Sequence, residues 1–491
     1  MPRIGPRHLL AFLAVLILHT AAAAATLDVT PSTGEIGTEV TALAEGLAPG
    51  EEVRLVWHGG APSWRVEDGA FLGYEVVATE TELASGRADA DGRARLTFTV
   101  PDGFGFLHDL TLERGDERLA RQGFFVTPTV TVSPASGPPG TRIRVVMRGL
   151  GYRNYELPFQ LLYDNAHVGM VTAISTGGTA AFEITATGRP GAHVIQIMRG
   201  AFTAPYLNGQ QAPTYLAPLG EPFTATFRVT DEQAVLPAPL AAQGLARQPG
   251  VQPTTTGPRI WTDHASGRVG EPVTLLGEGL PPDAPLELRW TTVVGNRVSG
   301  QGWQESERVL ATVRTEDDGT LLHTLATPDD LGGAHDLAVA TTDRVLATTT
   351  YRIAPGLVSF GTVEIGTVED PQAGVDGALT VRPGQTLRLQ VKGIGWTETE
   401  NITTVVHDNA YTGYACGFNS QGDVTLLLPV APQPGWHFLD LYPAIYKGDM
   451  GQVRADPFRI PMLNAADHPG DEIPVLRVAY LVVEEEEAAA R

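Results

Sequence analysis

Arg142-Ile143-Arg144-Val145-Val146-Met147-Arg148-Gly149-Leu150-Gly151 alternates polar and apolar side chains and then breaks on glycine. Alternation of period two marks a strand with one face buried, and glycine supplies the turn that ends it. The pattern returns as Thr386-Leu387-Arg388-Leu389-Gln390-Val391-Lys392-Gly393-Ile394-Gly395. Pro139 to His193 aligns without a gap on Pro383 to His437, with Asp164-Asn165-Ala166 on Asp408-Asn409-Ala410, an offset of 408 − 164 = 244. The chain therefore carries a duplicated segment, and every copy must be folded by the same rule.

Outward from this pair a second repeat is found. Gly34-Glu35-Ile36-Gly37 to Trp57 falls on Gly267-Arg268-Val269-Gly270 to Trp290, an offset of 290 − 57 = 233. The order is A-B-A′-B′. The sequence predicts module A over 26–127, module B over 128–230, a Pro/Ala/Gln/Thr linker over 231–258, module A′ over 259–354 and module B′ over 355–464. A C-terminal strand and acidic tail occupy 465–491, with Glu484 to Glu487 read as solvated. Each module shows short alternating runs, such as Val53 to Trp57 and Arg95 to Val100, separated by Gly, Pro and Asp. Roughly seven such strands in about 100 residues is the size of a two-sheet sandwich. The expected class is all-β, four tandem immunoglobulin-like sandwiches.

Composition agrees. The 491 residues hold 34 Lys+Arg against 56 Asp+Glu, a formal charge of −22, which argues against a nucleic-acid partner. With 55 Gly, 37 Pro and 18% charged residues, the chain suits a turn-rich β protein rather than a disordered one or a coiled coil. The single cysteine, Cys416, rules out an intrachain disulfide and any multi-cysteine metal motif.

At the N-terminus, Arg3 and Arg7 precede the apolar run Leu9 to Leu18 and the small residues Ala23-Ala24-Ala25. This reads as a signal peptide over 1–25, cleaved after Ala25, which predicts a secreted or cell-surface protein, with the periplasm as an alternative. No later window is apolar for long enough to span a bilayer, so no transmembrane segment is expected in the mature chain.

Pro134-Ala135-Ser136-Gly137-Pro138-Pro139-Gly140-Thr141, with the strand Arg142 to Met147 and Arg148-Gly149-Leu150-Gly151, resembles the opening of bacterial immunoglobulin-like repeats of the IPT/TIG type. The resemblance covers the first two strands of all four modules. It implies a module of secreted and surface proteins and no catalytic residues.

Candidate chemistry is sparse. His108, His193, His335 and His437 each follow a Gly and open an apolar strand. One position shared by all modules reads as structural, with the ring nitrogen satisfied by a backbone group. Asp164-Asn165 and Asp408-Asn409 read as turns in preference to calcium loops, which want a denser set of oxygens. Cys416 with His407 and His437 invites comparison with a blue-copper site, but the spacing is wrong and a lone thiol is expected. Arg114-Gly115-Asp116 at a hairpin tip reads as turn chemistry, as does Lys447-Gly448-Asp449. Asn401-Ile402-Thr403 has the form of a glycosylation acceptor.

The loops of B and B′ carry the functional expectation. Tyr152, Tyr206, Tyr215, Trp396, Tyr442 and Tyr446, beside Glu398 and Glu400, would form aromatic platforms with flanking acids, suited to an extracellular glycan or a cell-surface protein. The other reading is that these rings pack loops or module interfaces. No G-x-S-x-G, H-E-x-x-H, P-loop or dinucleotide fingerprint occurs, so no enzyme, cofactor or metal is expected. The functional expectation is a non-enzymatic binding or adhesion protein, with a structural spacer or scaffold of the envelope as the alternative.

Overall fold

The computed structural model describes residues 24–154, 156–200, 223–296, 302–363, 378–417, 420–446, 459–470 and 472–483. Residues 1–23 of the expected signal peptide, Tyr206, Tyr215, Lys447-Gly448-Asp449 and the Glu484 to Glu487 run lie outside them. Among the described residues are 32 strands and two short 3-10 turns, Leu240–Ala242 and Ala465–Asp467. No described helix is long and apolar enough to cross a membrane.

Module A sets the pattern. Its strands are β1 (Thr26–Thr30), β2 (Thr33–Gly34), β3 (Glu39–Glu45), β4 (Glu52–Glu67), β5 (Ala70–Arg87), β6 (Ala94–Thr99), β7 (Phe106–Arg114) and β8 (Glu117–Val126). They form a three-stranded sheet in the order β1-β3-β6 and a five-stranded one in the order β2-β8-β7-β4-β5. The first strand is thus split, its second half crossing to the other sheet. Strands β9 (Thr129–Ser133) to β16 (Phe223–Val229) repeat this order in module B, β17 (Arg259–Thr262) to β24 (Val345–Ile353) in A′, and β25 (Gly356–Val363) to β32 (Leu476–Val482) in B′. In B, A′ and B′ the short second strand pairs in parallel with the last, as in Ser136↔Arg228, Ser266↔Arg352 and Ala378↔Ala479. Four sandwiches of three plus five strands result, an immunoglobulin-like architecture.

The alternation seen in the sequence is the alternation of burial. In β11 (Arg142–Arg148), Ile143, Val145 and Met147 are buried while Arg144 and Arg148 are exposed. In β27 (Thr386–Lys392), Leu387, Leu389 and Val391 are buried. Each fully buried side chain of this size contributes about 2 kcal/mol by leaving water.

Two boundaries differ from the expectation. β32 is the closing strand of B′ rather than a separate C-terminal strand, since Gly435 to Leu441 pair with Val482 back to Leu476. The segment read as a linker is also packed: Leu240 is buried in the core of B′, and Arg268 donates to the carbonyls of Leu240, Ala241 and Gln243. Proline and alanine there fit a chain laid along a surface.

The chain forms two compact units. One comprises Met1–Gly59, Thr79–Val100 and Leu107–Phe125, with Leu55, Leu110, Leu112 and Phe124 fully buried. The other comprises Gly60–Ala78, Pro101–Phe106 and Val126–Arg491. Within this second unit B and B′ share one core: Val406, Tyr442 and Leu463 belong to the same buried cluster as Val145, Ile184, Ile195 and Phe227.

Candidate functional site

The four equivalent histidines occupy a common corner. His193, His335 and His437 each place Nε2 2.8 Å from the carbonyl four residues upstream, that of Arg189, Leu331 and Gln433 respectively. His108 places Nδ1 3.1 Å from the carbonyl of His58. In A and A′ the ring stacks on a tryptophan of the neighbouring strand, Trp57 with His108 and Trp290 with His335, at 4.4 and 4.5 Å. In B the stack is Tyr163 on His193 at 5.4 Å. In B′ the position of Tyr163 holds His407, and Tyr480 of β32 stacks on His437 at 5.2 Å instead. Such a ring needs both a polar partner and an apolar face to be buried cheaply, and the corner supplies both.

Asp164-Asn165 and Asp408-Asn409 are two-residue hairpin turns, with φ of 47° and 66° in the first and 46° and 61° in the second. This left-handed pair is the type I′ geometry that Asn and Asp tolerate. Each aspartate then reaches across to the histidine corner. Asp164 Oδ2 lies 2.5 Å from His193 Nδ1 and its Oδ1 accepts from Val194 N; Asp408 Oδ2 lies 2.6 Å from His437 Nδ1 and its Oδ1 accepts from Phe438 N. Burial pulls the His437 pKa down, but the hydrogen bond and charge of Asp408 outweigh it and the net shift is upward. Burial lowers that of His407, assisted by the charge of His437.

The aromatic and acidic loop residues of B and B′ are largely packed against other elements. Tyr442 is fully buried in β31 (Gly435–Pro443), where its hydroxyl donates to the Glu183 carbonyl of B at 3.1 Å. Tyr152 is buried, with Phe104 edge-on at 5.1 Å. Glu400 is buried and bridged to Arg352 of A′ at 2.7 Å. Glu398 accepts from Phe71 N at 2.8 Å, and Trp396 meets Trp303 of A′ at 5.9 Å. Tyr446 lies under the Arg459 guanidinium, 4.5 Å from its ring centre. Trp396 and Tyr446 alone among the described rings of this set keep part of their surface. The Asn401 side chain is buried, so the acceptor motif is not displayed.

Asp467 escaped the sequence reading. It has no exposed surface, and its carboxylate accepts from Thr172 Oγ1, Ile174 N, Ser175 N and Ser175 Oγ at 2.5–2.9 Å. The tip of the hairpin β4–β5 docks beside it: Trp64, Val66 and Phe71 pack with Met170, Ile445, Ile460 and Met462. Its only sequence signal was an acid in an otherwise apolar stretch.

At the turn end of B and B′ a cleft of about 520 Å³ opens between the two modules. Tyr163, Trp436, Pro190 and Pro434 give it apolar walls, while Asp164, Asp408, Asp231 and Glu232 face Arg189 and His437. This end is opposite to the loops at Tyr152 and Trp396, because the strands Phe159–Tyr163 and Ile402–His407 run from those loops to the Asp-Asn turns. His407, Asp408 and His437 bring one ligand atom each to within 4.8 Å of one another. Cys416 is not among them: it pairs with Ile402, at the far end of the strand from His407. The Arg114-Gly115-Asp116 tripeptide sits at its hairpin tip, with Arg114 bridged to Glu51 and Glu117.

No protein-family model and no curated protein matches the chain. Among solved structures it is similar to a Salmonella alpha-2-macroglobulin reacted with methylamine, at 10% identity and a TM-score of 0.19, covering 92% of this chain and 30% of that one. A putative membrane anchored protein from Corynebacterium diphtheriae is similar at 12% identity and 0.18, over 71% and 94% of the two chains. The ICAM-5 D1-D4 ectodomain fragment is similar at 12% and 0.17, over 89% and 100%. The chain thus spans less than a third of the macroglobulin's length, and the fold assignment rests on the strand order given above.

Proposed function

We propose that this chain is an exported, non-enzymatic protein of the cell surface or periplasm that acts as a stiff structural scaffold of tandem immunoglobulin-like sandwiches. What supports the reading is the fate of the loop side chains that a ligand would need. Tyr442 is the decisive one, buried in a core common to B and B′. Tyr152, Glu398 and Glu400 are likewise occupied by neighbouring elements. A module joined to its neighbour through a shared core has lost the swivel of a beaded chain and transmits force and orientation. Limited proteolysis tests this: the second unit should resist cleavage between its modules, and rapid cutting between B and A′ into separately stable fragments would refute it.

A second reading is kept because Trp396 and Tyr446 remain half-exposed. On that reading the same scaffold holds an extracellular glycan or a cell-surface protein at the Trp396 end. Binding to a glycan array or to envelope extracts that falls on Trp396→Ala or Tyr446→Ala, with folding unchanged, would favour it over a scaffold without a ligand.

A further inference from the structure

We propose that His407, Asp408 and His437 form a binding site for a divalent transition metal, opening on the cleft between B and B′. Two imidazoles and one carboxylate are the donor set of open-faced metal centres, leaving positions for water or another ligand.

The orientation of the donors argues for it. The Gln433 carbonyl, 2.8 Å from His437 Nε2, accepts its N–H and leaves Nδ1 aimed at Asp408 Oδ2, 2.6 Å away. A backbone carbonyl on the distal nitrogen is the usual outer support of a metal-bound histidine. His407 Nε2 lies 3.6 Å from the same carboxylate oxygen. Ligand atoms about 2.1 Å from a tetrahedral ion stand roughly 3.4 Å apart. The His407 edge already fits, and the Asp408–His437 edge must widen by less than about 1 Å. The metal replaces two things: the proton between Asp408 and His437, and the hydrogen bond of 2.7 Å from the Tyr480 hydroxyl to His407 Nε2. Both are exchangeable without moving a strand. Asp408 and His437 line the cleft, and the His407, Asp408 and His437 side chains keep 18%, 30% and 11% of their surface, so an ion can reach the donors from that side.

Module B serves as an internal control. It has the same turn and the same Asp164–His193 pair, but Tyr163 stands where His407 does, its hydroxyl donating to the Thr187 carbonyl at 2.9 Å. Phe227 stands opposite His193 as Tyr480 stands opposite His437. The duplication thus acquired a second imidazole on one side only. The module fold alone does not call for it, because the corner in B closes without one.

The test is zinc and cobalt binding by the full chain. Titration calorimetry with zinc chloride should give one site at micromolar or tighter affinity. Cobalt should give visible bands of a nitrogen and oxygen site without a thiolate charge-transfer band, which separates it from Cys416. The double variant His407→Tyr/Tyr480→Phe copies module B and keeps the Asp408–His437 pair; it should lose at least tenfold in affinity, as should Asp408→Asn. Melting temperature without metal reports whether each variant folds. Failure to take up one equivalent of zinc, a thiolate band, or unchanged affinity in a folded double variant would overturn the proposal.

Discussion

The indole N–H of Trp64 donates to the main-chain carbonyl of Asp467 at 2.7 Å, joining residues 403 positions apart. The Asp467 carboxylate holds the Thr172 to Ser175 turn on its other side, so one buried acid closes three segments at once.

Replacing Asp467 by Ala strands two buried donors, Thr172 Oγ1 and Ile174 N, and releases the Ser175 turn, and should cost about 3–5 kcal/mol in the second unit. Asp467→Asn, which keeps one acceptor oxygen and the shape of the side chain but turns an NH2 toward the other donors, should cost less than the Ala variant but still be destabilising. Urea unfolding followed by tryptophan fluorescence reads both; a loss under about 1 kcal/mol for the Ala variant would contradict the buried network.

Asp440 should behave similarly at the B–B′ contact. It accepts from Thr185 Oγ1 at 2.7 Å and faces Arg477 and Arg142 at 3.5 and 3.9 Å. Asp440→Ala leaves two cations facing each other without their anion and should destabilise by about 3 kcal/mol. Tyr442→Phe removes a neutral hydroxyl that donates to the Glu183 carbonyl, for about 1 kcal/mol. A reversed ranking of the two denaturation midpoints would rule out a polar seam here.

Stability should fall with acid because of His167 and His468, whose pKa values burial pushes down to about 4. The unfolded rings take protons near 6.5 and the folded ones resist, so the unfolded state binds more protons as the pH drops. The contribution is complete above about pH 6.5 and disappears between there and pH 4, on the order of 3 kcal/mol for each ring. Melting temperatures across this window should slope less in a His167→Gln/His468→Gln variant, and an equal slope would remove these rings as the cause.

Gly105 and Gly332 should be intolerant to the same degree. A Cβ at Gly105 would overlap the Gly149 carbonyl oxygen, and one at Gly332 the Gly393 carbonyl oxygen. Both glycines also donate in register, to Leu150 and Ile394 at 3.0 Å. Each Gly→Ala change should cost about 1–3 kcal/mol by forcing these backbones apart. Thermal shifts that differ widely between the two variants would mean that the junction is not duplicated along with the modules.

The sequence carried the sandwiches because alternation records which side of a strand faces its own core, and it carried the turns because Asp-Asn pairs suit only a few backbone shapes. The histidine corner was legible for the same reason, as a residue type at a fixed place in every copy. What the alternation does not record is the neighbour on the other face. Tyr442 looked like a loop aromatic because it precedes Pro443, yet it is strand residue and core. Glu400 and Tyr152 looked displayed because their turns are polar, but their partners Arg352 and Phe104 come from preceding modules. The sequence groups His407 and His437 with Cys416, whereas the third group beside them is Asp408, which in sequence reads as a turn residue in preference to a calcium ligand.

Because Trp64 finds its partner 403 residues downstream, the order of synthesis matters. At about 5–20 residues per second, some 20–80 s separate the emergence of the hairpin tip from that of Asp467. Through that interval Trp64 and Phe71 lack their cover, a surface for chaperones to hold. A chain cut short ahead of Asp467 keeps this bare apolar tip permanently, which makes premature termination a route to aggregation rather than to a shorter working protein.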